Sequence, residues 1–366
     1  MEITDAMVFR ESNLNTQVQM PRTPRPIRII GAGGIVKDAH LPAYRKVGLP
    51  VEGIFDIQQN KAKVLAKEFD ISRVYGSMQE LVTNSSTNFV YDIAVPASAI
   101  LSVLKVLPDR SSVLIQKPLE ENLKKAHLIT QLCKDKQITA GINFQLRYAP
   151  AVVAARKMID YGYLGDLHDL EIRLNVYTPW NRWDFLFDLP RVEILYHSIH
   201  YLDLIRSILG NPQGIYAKTV KHPKMEKLAS TKSTIILDYG ERIRATISTN
   251  HGHDFGPHHQ ESFVKLEGTK GALKITLGVN LNYPHGIEDR FEYCLLDKSE
   301  NPAWQQFELS GSWFPDAFAG SMRSFQCYLE GTSDEFTSTL SDSVNTMALV
   351  EAAYLSSKKG GVDISP

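Results

Sequence analysis

The sequence predicts an α/β protein in two parts: a doubly wound parallel sheet, then an α+β domain built on one large, mostly antiparallel open sheet. Three observations predict it. The 366 residues exceed what one ordinary core accommodates. Between residues 27 and 144, short and nearly continuous apolar strands alternate with helical patterns, as in a parallel sheet covered on both faces. Beyond about residue 147 the pattern turns to strands with few helices between them, as in a sheet with one covered face.

Composition sets the outer bounds. The chain is 43% hydrophobic and 22% charged with a net charge of −1, the profile of a soluble globular protein. No long basic run offers a surface to nucleic acid or anionic membrane. Cys133, Cys294 and Cys327 are few, odd in number and far apart, which suits a reducing compartment and gives no zinc spacing. No apolar run approaches the roughly 20 residues that span a bilayer. The first 26 residues carry Glu2, Asp5 and Glu11 and lack an apolar core, so they do not read as a signal peptide, and the cytoplasm is the expected compartment. They end in "MPRTPRP" (20–26), an extended arm that reads either as a partly disordered tail or as a strap along a partner subunit.

The first domain is expected over 27–146. Ile27–Ile30 is a short apolar strand that runs directly into "GAGGIVKDAH". Further strands are "VEGIFD" (51–56), "FVYDIAV" (89–95), "SVLIQK" (112–117) and "ITAGINF" (138–144), with helices near 58–69, 97–107 and 120–136. In this Rossmann-like setting Gly31 permits the tight turn, and Gly33 lets backbone approach a pyrophosphate at the following helix N-terminus. Val36 stands where the third fingerprint glycine would be. Asp56 ends the second strand. A carboxylate there accepts the ribose hydroxyls and repels a 2′-phosphate, favouring NAD over NADP; otherwise the same residue caps the next helix. In "VLIQKPLEEN", Pro118 stops the strand and leaves Lys117 at its carboxyl end, the edge of a parallel sheet that faces the ligand crevice.

The second domain is expected over 147–366. Its strands are "DLHDLEIRLNVY", "STIILDYG", "IRATISTNHGH" and "ESFVKLEGTKGALKITLG"; helices near 316–331 and 339–358 close the chain and are free to pack back on the first domain. One helix interrupts the sheet, "EILYHSIHYLDLIRSILG" (193–210). Ile194, Leu195, Ile199, Leu202, Ile205 and Ile208 form its buried stripe. Tyr196, His200 and Asp203, at i, i+4 and i+7, share an adjoining face with His197 at its edge. Asp203 can therefore orient the His200 ring, as a general base requires, although a packed helical histidine has the same spacing. No cysteine or G-x-S-x-G elbow stands where nucleophilic chemistry needs it.

"GAGGIVKDAHLPAY", the strand-end Asp56, "QKP", "GINFQLRYAP" and "HYLDLIRSILG" occur in an order that resembles the glucose-fructose oxidoreductase/inositol dehydrogenase (Gfo/Idh/MocA) family of NAD(P)-dependent oxidoreductases, from about residue 27 to the end. The resemblance implies NAD as cofactor, held by Gly31, Gly33, Gly34, Ile35, Asp56, Pro96, Gln116 and Lys117, with "QKP" standing for the family's Glu-Lys-Pro. It implies Lys117 and His200 as the catalytic pair, His200 and Asp203 matching the second half of the family's Asp-x-x-x-His-x-x-Asp. Tyr196 replaces the first acid, leaving it or His197 for the substrate hydroxyl. The implied reaction is oxidation of a sugar or polyol: aldose to lactone, for instance apiose or xylose, or an inositol-like polyol to its ketone. His200 takes the hydroxyl proton, while Lys117 holds that oxygen and keeps His200 neutral by like-charge repulsion. Arg147, Trp180, Asn181 and Arg182 are candidate sugar contacts. A homodimer or homotetramer is implied, the open sheet offering a self-association face. A redox-neutral NAD-dependent glycosidase and a non-catalytic NAD-binding regulator are the alternatives.

"HGHDFGPHH" (251–259) holds four of the chain's eleven histidines. Period-two alternation puts Ile243, Ala245, Ile247, Thr249, His251 and His253 on one covered face. His251 and His253 are thus expected to face the substrate; an inert loop comes second, and zinc on His251, His253, Asp254, His258 and His259 last. Hydride transfer needs no metal, and none is expected.

Overall fold

A computed structural model describes Glu11, Leu14 and residues 16–83, 88–283, 285–296 and 301–364. It divides into two compact units. The nucleotide unit comprises Val18–Tyr148 and Phe314–Glu351; the sheet unit comprises the residues up to Gln17, Ala149–Trp313 and everything from Ala352.

In the nucleotide unit, strands β1 (Ile27–Ile30), β2 (Val51–Phe55), β3 (Arg73–Val74), β4 (Val90–Ile93), β5 (Ser112–Gln116) and β6 (Thr139–Asn143) form one parallel sheet in the order β3-β2-β1-β4-β5-β6. The chain reverses direction of growth between β1 and β4, the switch point at which such sheets bind ligands. Helices α1 (Leu41–Val47), α2 (Gln59–Phe69), α3 (Met78–Val82), α4 (Ile100–Val106) and α5 (Leu123–Asp135) make the crossovers. Residues 36–40 are π-helical and pass directly into α1. Ile27, Ile29, Ile54, Val90 and Leu114 of the strands share a core with Val36, Ala43 and Tyr44.

Most of the arm's residues before Gln17 lie outside the described ones. Its described end is strapped to the unit's own C-terminal segment. The backbone N–H groups of Arg22 and Thr23 donate to the Glu330 carboxylate at 2.8 and 3.2 Å, and that of Arg25 donates to Gln326 Oε1 at 2.7 Å. The cause is local: an extended, proline-broken segment has N–H groups that no strand satisfies, and a polar helix face supplies acceptors.

In the sheet unit, α6 (Pro150–Asp160) leads into β7 (Leu167–Asn175), α7 (Ile199–Leu209), β8 (Gly214–Val220), β9 (Lys232–Asp238), β10 (Arg244–Asn250), β11 (Glu261–Gly268), β12 (Gly271–Thr276), β13 (Arg290–Leu295) and β14 (Gln305–Phe307). The eight strands order as β14-β13-β12-β11-β7-β10-β9-β8. Only β7 and β10 run parallel; the other neighbours are antiparallel. Leu170, Ile172 and Leu174 of β7 and Ala245, Ile247 and Thr249 of β10 alternate into the covered face, so one face is dry and the other wet.

The expected helix 193–210 is two structures. Residues 193–198 form a π-turn, and α7 begins only at Ile199. A π-turn closes on i and i+5, and the Ser198 hydroxyl donates to Glu193 Oε1 across that interval at 2.6 Å. Tyr196 and His197 therefore lie in the π-turn, and His200 and Asp203 on α7. Helices α8 (Asp316–Glu330) and α9 (Leu340–Lys359) close the chain. Phe318, Met322 and Phe325 of α8 complete the nucleotide unit's core, and the division between the units falls inside α9. Among the described residues no helix is long and apolar enough to cross a membrane.

Candidate functional site

The glycine turn of the nucleotide unit is built by exclusion. Gly31 has φ +109°, and a Cβ there would lie 2.3 Å from the Ala94 carbonyl oxygen, so only glycine fits. A Cβ on Gly33 would meet nothing within 4 Å, leaving a clear face on which a phosphate can rest. Gly34 is exposed and Ile35 half-buried, while Val36 is fully buried and packs the core in place of the third glycine. Asp56 Oδ2 accepts the Ala32 N–H and Oδ1 the Gln58 N–H, each at 2.7 Å. The acid thus ties the glycine turn to the end of β2 and closes a turn onto Gln58, the residue before α2. Further lone pairs on the same carboxylate remain for ribose hydroxyls.

The carboxyl ends of β5 and β6 carry a polar cluster. Gln116 and Asn143 are register partners, both buried. Among the described residues, Gln116 Oε1, Gln145 Oε1 and both amide atoms of Asn143 have no hydrogen-bond partner. Leaving such groups unsatisfied costs about 1–3 kcal/mol each, which fits a polar ligand such as a carboxamide at this edge. These residues fit NAD. Asn143 and Gln145 were missed in the sequence, yet "GINFQLRYAP" carried the signal that marked Lys117: polar side chains closing an apolar strand at its carboxyl end. Lys117 keeps part of its surface exposed, but desolvation around its ammonium pulls its pKa down to about 8. Pro96 is exposed and opens the short turn Ala97–Ala99 after β4.

Arg147 belongs to this unit and is not placed as a free sugar contact. Its buried guanidinium donates to Asp342 Oδ2 at 2.6 Å and the Thr337 carbonyl at 2.8 Å, fixing the chain after β6 to the segment before α9.

In the sheet unit, His200 and Asp203 are both buried on α7, and the Trp313 ring stands edge-on to His200 with centroids 5.5 Å apart. Tyr196 packs against Phe185 and joins the small core of Trp180, Leu186, Val192 and Leu228. Trp180 is 5% exposed, with its ring against His251 and Trp183. The ring is thus packed among protein side chains. Asn181 and Arg182 are exposed, the guanidinium 5.8 Å from the Tyr283 ring centroid.

The histidine loop splits. His251 keeps the covered face and is fully buried: Nδ1 lies 2.8 Å from Thr178 Oγ1, Nε2 3.4 Å from Glu193 Oε1, and its ring centroid 4.2 Å from that of His197. Glu193 is equally buried. Burial alone would raise its carboxyl pKa, but the His251 ring and the Ser198 and Ser233 hydroxyls outweigh that and hold it below the ordinary value. His253 leaves the face expected of it. The strand ends at Asn250, and the His253 ring accepts from Asn175 Nδ2 at 3.2 Å and donates to the His258 carbonyl at 2.9 Å, beside Asn250. Asn175 alternates with buried Leu174, so His253 sits on the opposite side of the sheet from His251. Among the described residues, one metal-competent grouping of carboxylate and ring donors forms: Glu193, His197 and His251.

Comparison with known proteins covers both units. Residues 26–144 match the model "Oxidoreductase family, NAD-binding Rossmann fold", and residues 156–364 match "Oxidoreductase family, C-terminal alpha/beta domain", both of the Gfo/Idh/MocA group. A D-apiose dehydrogenase of Rhizobium rhizogenes is 24% identical over 352 residues, 91% of this chain and 95% of that protein. The fold is also that of an Agrobacterium radiobacter oxidoreductase crystallised with NAD+, L-tartaric acid and magnesium, with TM-score 0.77, 21% identity, and 93% and 99% of the two chains covered. A levoglucosan dehydrogenase in complex with NADH and levoglucosan superposes with TM-score 0.75 at 16% identity, covering 92% and 98%.

Proposed function

This chain belongs to the Gfo/Idh/MocA oxidoreductase family, and from that premise we propose that it is an NAD-dependent dehydrogenase of a sugar or polyol. The observation that carries the proposal is the carboxyl edge of β5 and β6, where buried amides of Gln116 and Asn143 stand beside a lysine with a depressed pKa. NAD, when bound, supplies the hydride acceptor. Gly31 and Gly33 give backbone access to its pyrophosphate, and the Asp56 carboxylate accepts from the ribose and disfavours a 2′-phosphate. His200 takes the substrate hydroxyl proton, and Lys117 in its cationic form binds that oxygen. Relatives that act on apiose and levoglucosan support a pentose or hexose derivative, oxidised to a lactone or ketone. Tyr216 and Ile236, a cross-strand pair exposed on β8 and β9, support assembly through the wet face as a dimer or tetramer, which sedimentation would check.

The test is a panel of aldoses, polyols and glycosides with NAD or NADP, following both NADH absorbance and glycoside cleavage. Expected is NADH formation, preferring NAD, with Lys117→Ala and His200→Ala each lowering turnover by about 10²–10⁴ while NAD binding persists. Turnover of the unaltered enzyme should decline as pH rises through about 8, where Lys117 loses its charge. Glycoside cleavage without net NADH, or equal use of NADP, overturns the proposal.

A further inference from the structure

The structure assigns to Glu193, His197 and His251 a binding site for one divalent transition-metal ion, zinc by the chemistry of its donors. This claim does not rest on the dehydrogenase reading. Each of the three residues offers one donor atom, and these atoms lie within 4.8 Å of one another. Two imidazoles and one carboxylate are a zinc donor set, and three protein ligands leave the fourth tetrahedral position for water or another oxygen.

The first argument concerns the His251 ring. Its Nδ1 lies 2.8 Å from Thr178 Oγ1, and in the tautomer protonated at Nδ1 the ring donates to that hydroxyl, the second bond that metal-binding imidazoles ordinarily make. In that tautomer Nε2 presents its lone pair, buried and 3.4 Å from a Glu193 carboxylate oxygen. Among the described residues Nε2 makes no ordinary hydrogen bond; a proton on it pairs with Glu193 in the metal-free chain, and a cation takes that proton's place. The spacing suits it: a tetrahedral ion with bonds of about 2.1 Å holds its donors roughly 3.4 Å apart.

The second argument concerns Glu193. It is fully buried, yet its carboxylate is held anionic and oriented by the Ser198 hydroxyl on one oxygen and the Ser233 hydroxyl on the other. Hydroxyls that pin a carboxylate while leaving it a lone pair are the outer support that metal ligands ordinarily have. The π-turn carries both Glu193 and His197, and each lies against His251, the residue directly after β10. His197 is half-buried, so an ion can enter on its side.

The experiment uses the untagged full chain. After chelator treatment, zinc is titrated back with calorimetry, and cobalt(II) is added separately as a spectroscopic probe. Expected is one equivalent of zinc per chain and the intense visible bands of four-coordinate cobalt. His197→Ala, a change at a half-buried ring that circular dichroism should show folded, should weaken zinc by at least about 100-fold, since outer support alone is commonly worth roughly 10–100-fold. The double variant His258→Ala/His259→Ala should bind zinc as the parent does. No saturable zinc or cobalt site in the parent chain overturns the assignment. So does zinc binding that survives His197→Ala, or that disappears with His258 and His259.

Discussion

In the nucleotide unit, His40 Nδ1 lies 2.7 Å from Asp92 Oδ2, and that same oxygen accepts the Tyr44 hydroxyl at 2.8 Å. In the sheet unit, His251 Nε2 lies 3.4 Å from Glu193 Oε1 with a second imidazole alongside. Both histidines and both carboxylates are fully buried. The first arrangement is closed: short contacts fill the space between ring and acid, and Tyr44 is driven to a higher pKa by burial and by the Asp92 charge. The second is open by roughly the extra length that a bound ion takes up. Burial of a histidine with a carboxylate is thus no statement of role; the distance and what stands beside the pair decide it.

Variants can break the comparison. Asp92→Ala should have the largest effect, a loss of about 3 kcal/mol by urea unfolding, because it strands His40 and Tyr44 in the core. Added zinc should not restore it. A loss below about 1 kcal/mol would mean the closed pair is not a structural tie. Zinc itself should come next: at a free concentration one hundred times its dissociation constant it should stabilise the parent chain by about 2.7 kcal/mol and leave Glu193→Gln unmoved. Equal stabilisation of both would erase the distinction between the pairs.

A smaller effect should appear with acid. Glu193 has a folded pKa below the ordinary 4.5, so its contribution is present above that value and is lost as pH falls through the lower folded one. Without metal, Glu193→Gln should therefore lose less stability than the parent on acidification from about pH 5 to 3. An identical acid limb would count against an ionised Glu193. The smallest effect belongs to Tyr44→Phe, about 1 kcal/mol at neutral pH. Since Tyr44 titrates above its usual range, its contribution falls away above about pH 10, and the gap to the phenylalanine variant should narrow there.

The two units also differ in how far they could be read beforehand. "VEGIFD" and "SVLIQK" became Val51–Phe55 and Ser112–Gln116 because apolar runs bounded by turn residues leave a parallel strand little freedom. Helix 193–210 was visible, but its π-turn was not: Glu193 bonds Ser233 on β9 and lies against His251 after β10, and both stand far along the chain. The same reason hid the burial of Trp180 and the tie of Arg147 to Asp342. His253 misled because alternation predicts a side only while the strand continues, and β10 stops three residues earlier. Nor does the arm carry any local signal that Glu330, some 300 residues on, takes its N–H groups.

Helix α8 is made late and needed early. Synthesis delivers Val18–Tyr148 first, with the apolar surface that Phe318, Met322 and Phe325 will cover still bare. The intervening sheet unit emerges before that cover does. A growing chain therefore holds an unfinished nucleotide-binding core through more than 160 residues of translation, a window in which chaperones or misassociation compete for it. Ending the chain after Tyr148 would make that exposure permanent, so the fragment is an unsuitable minimal NAD-binding module despite holding every strand of its sheet.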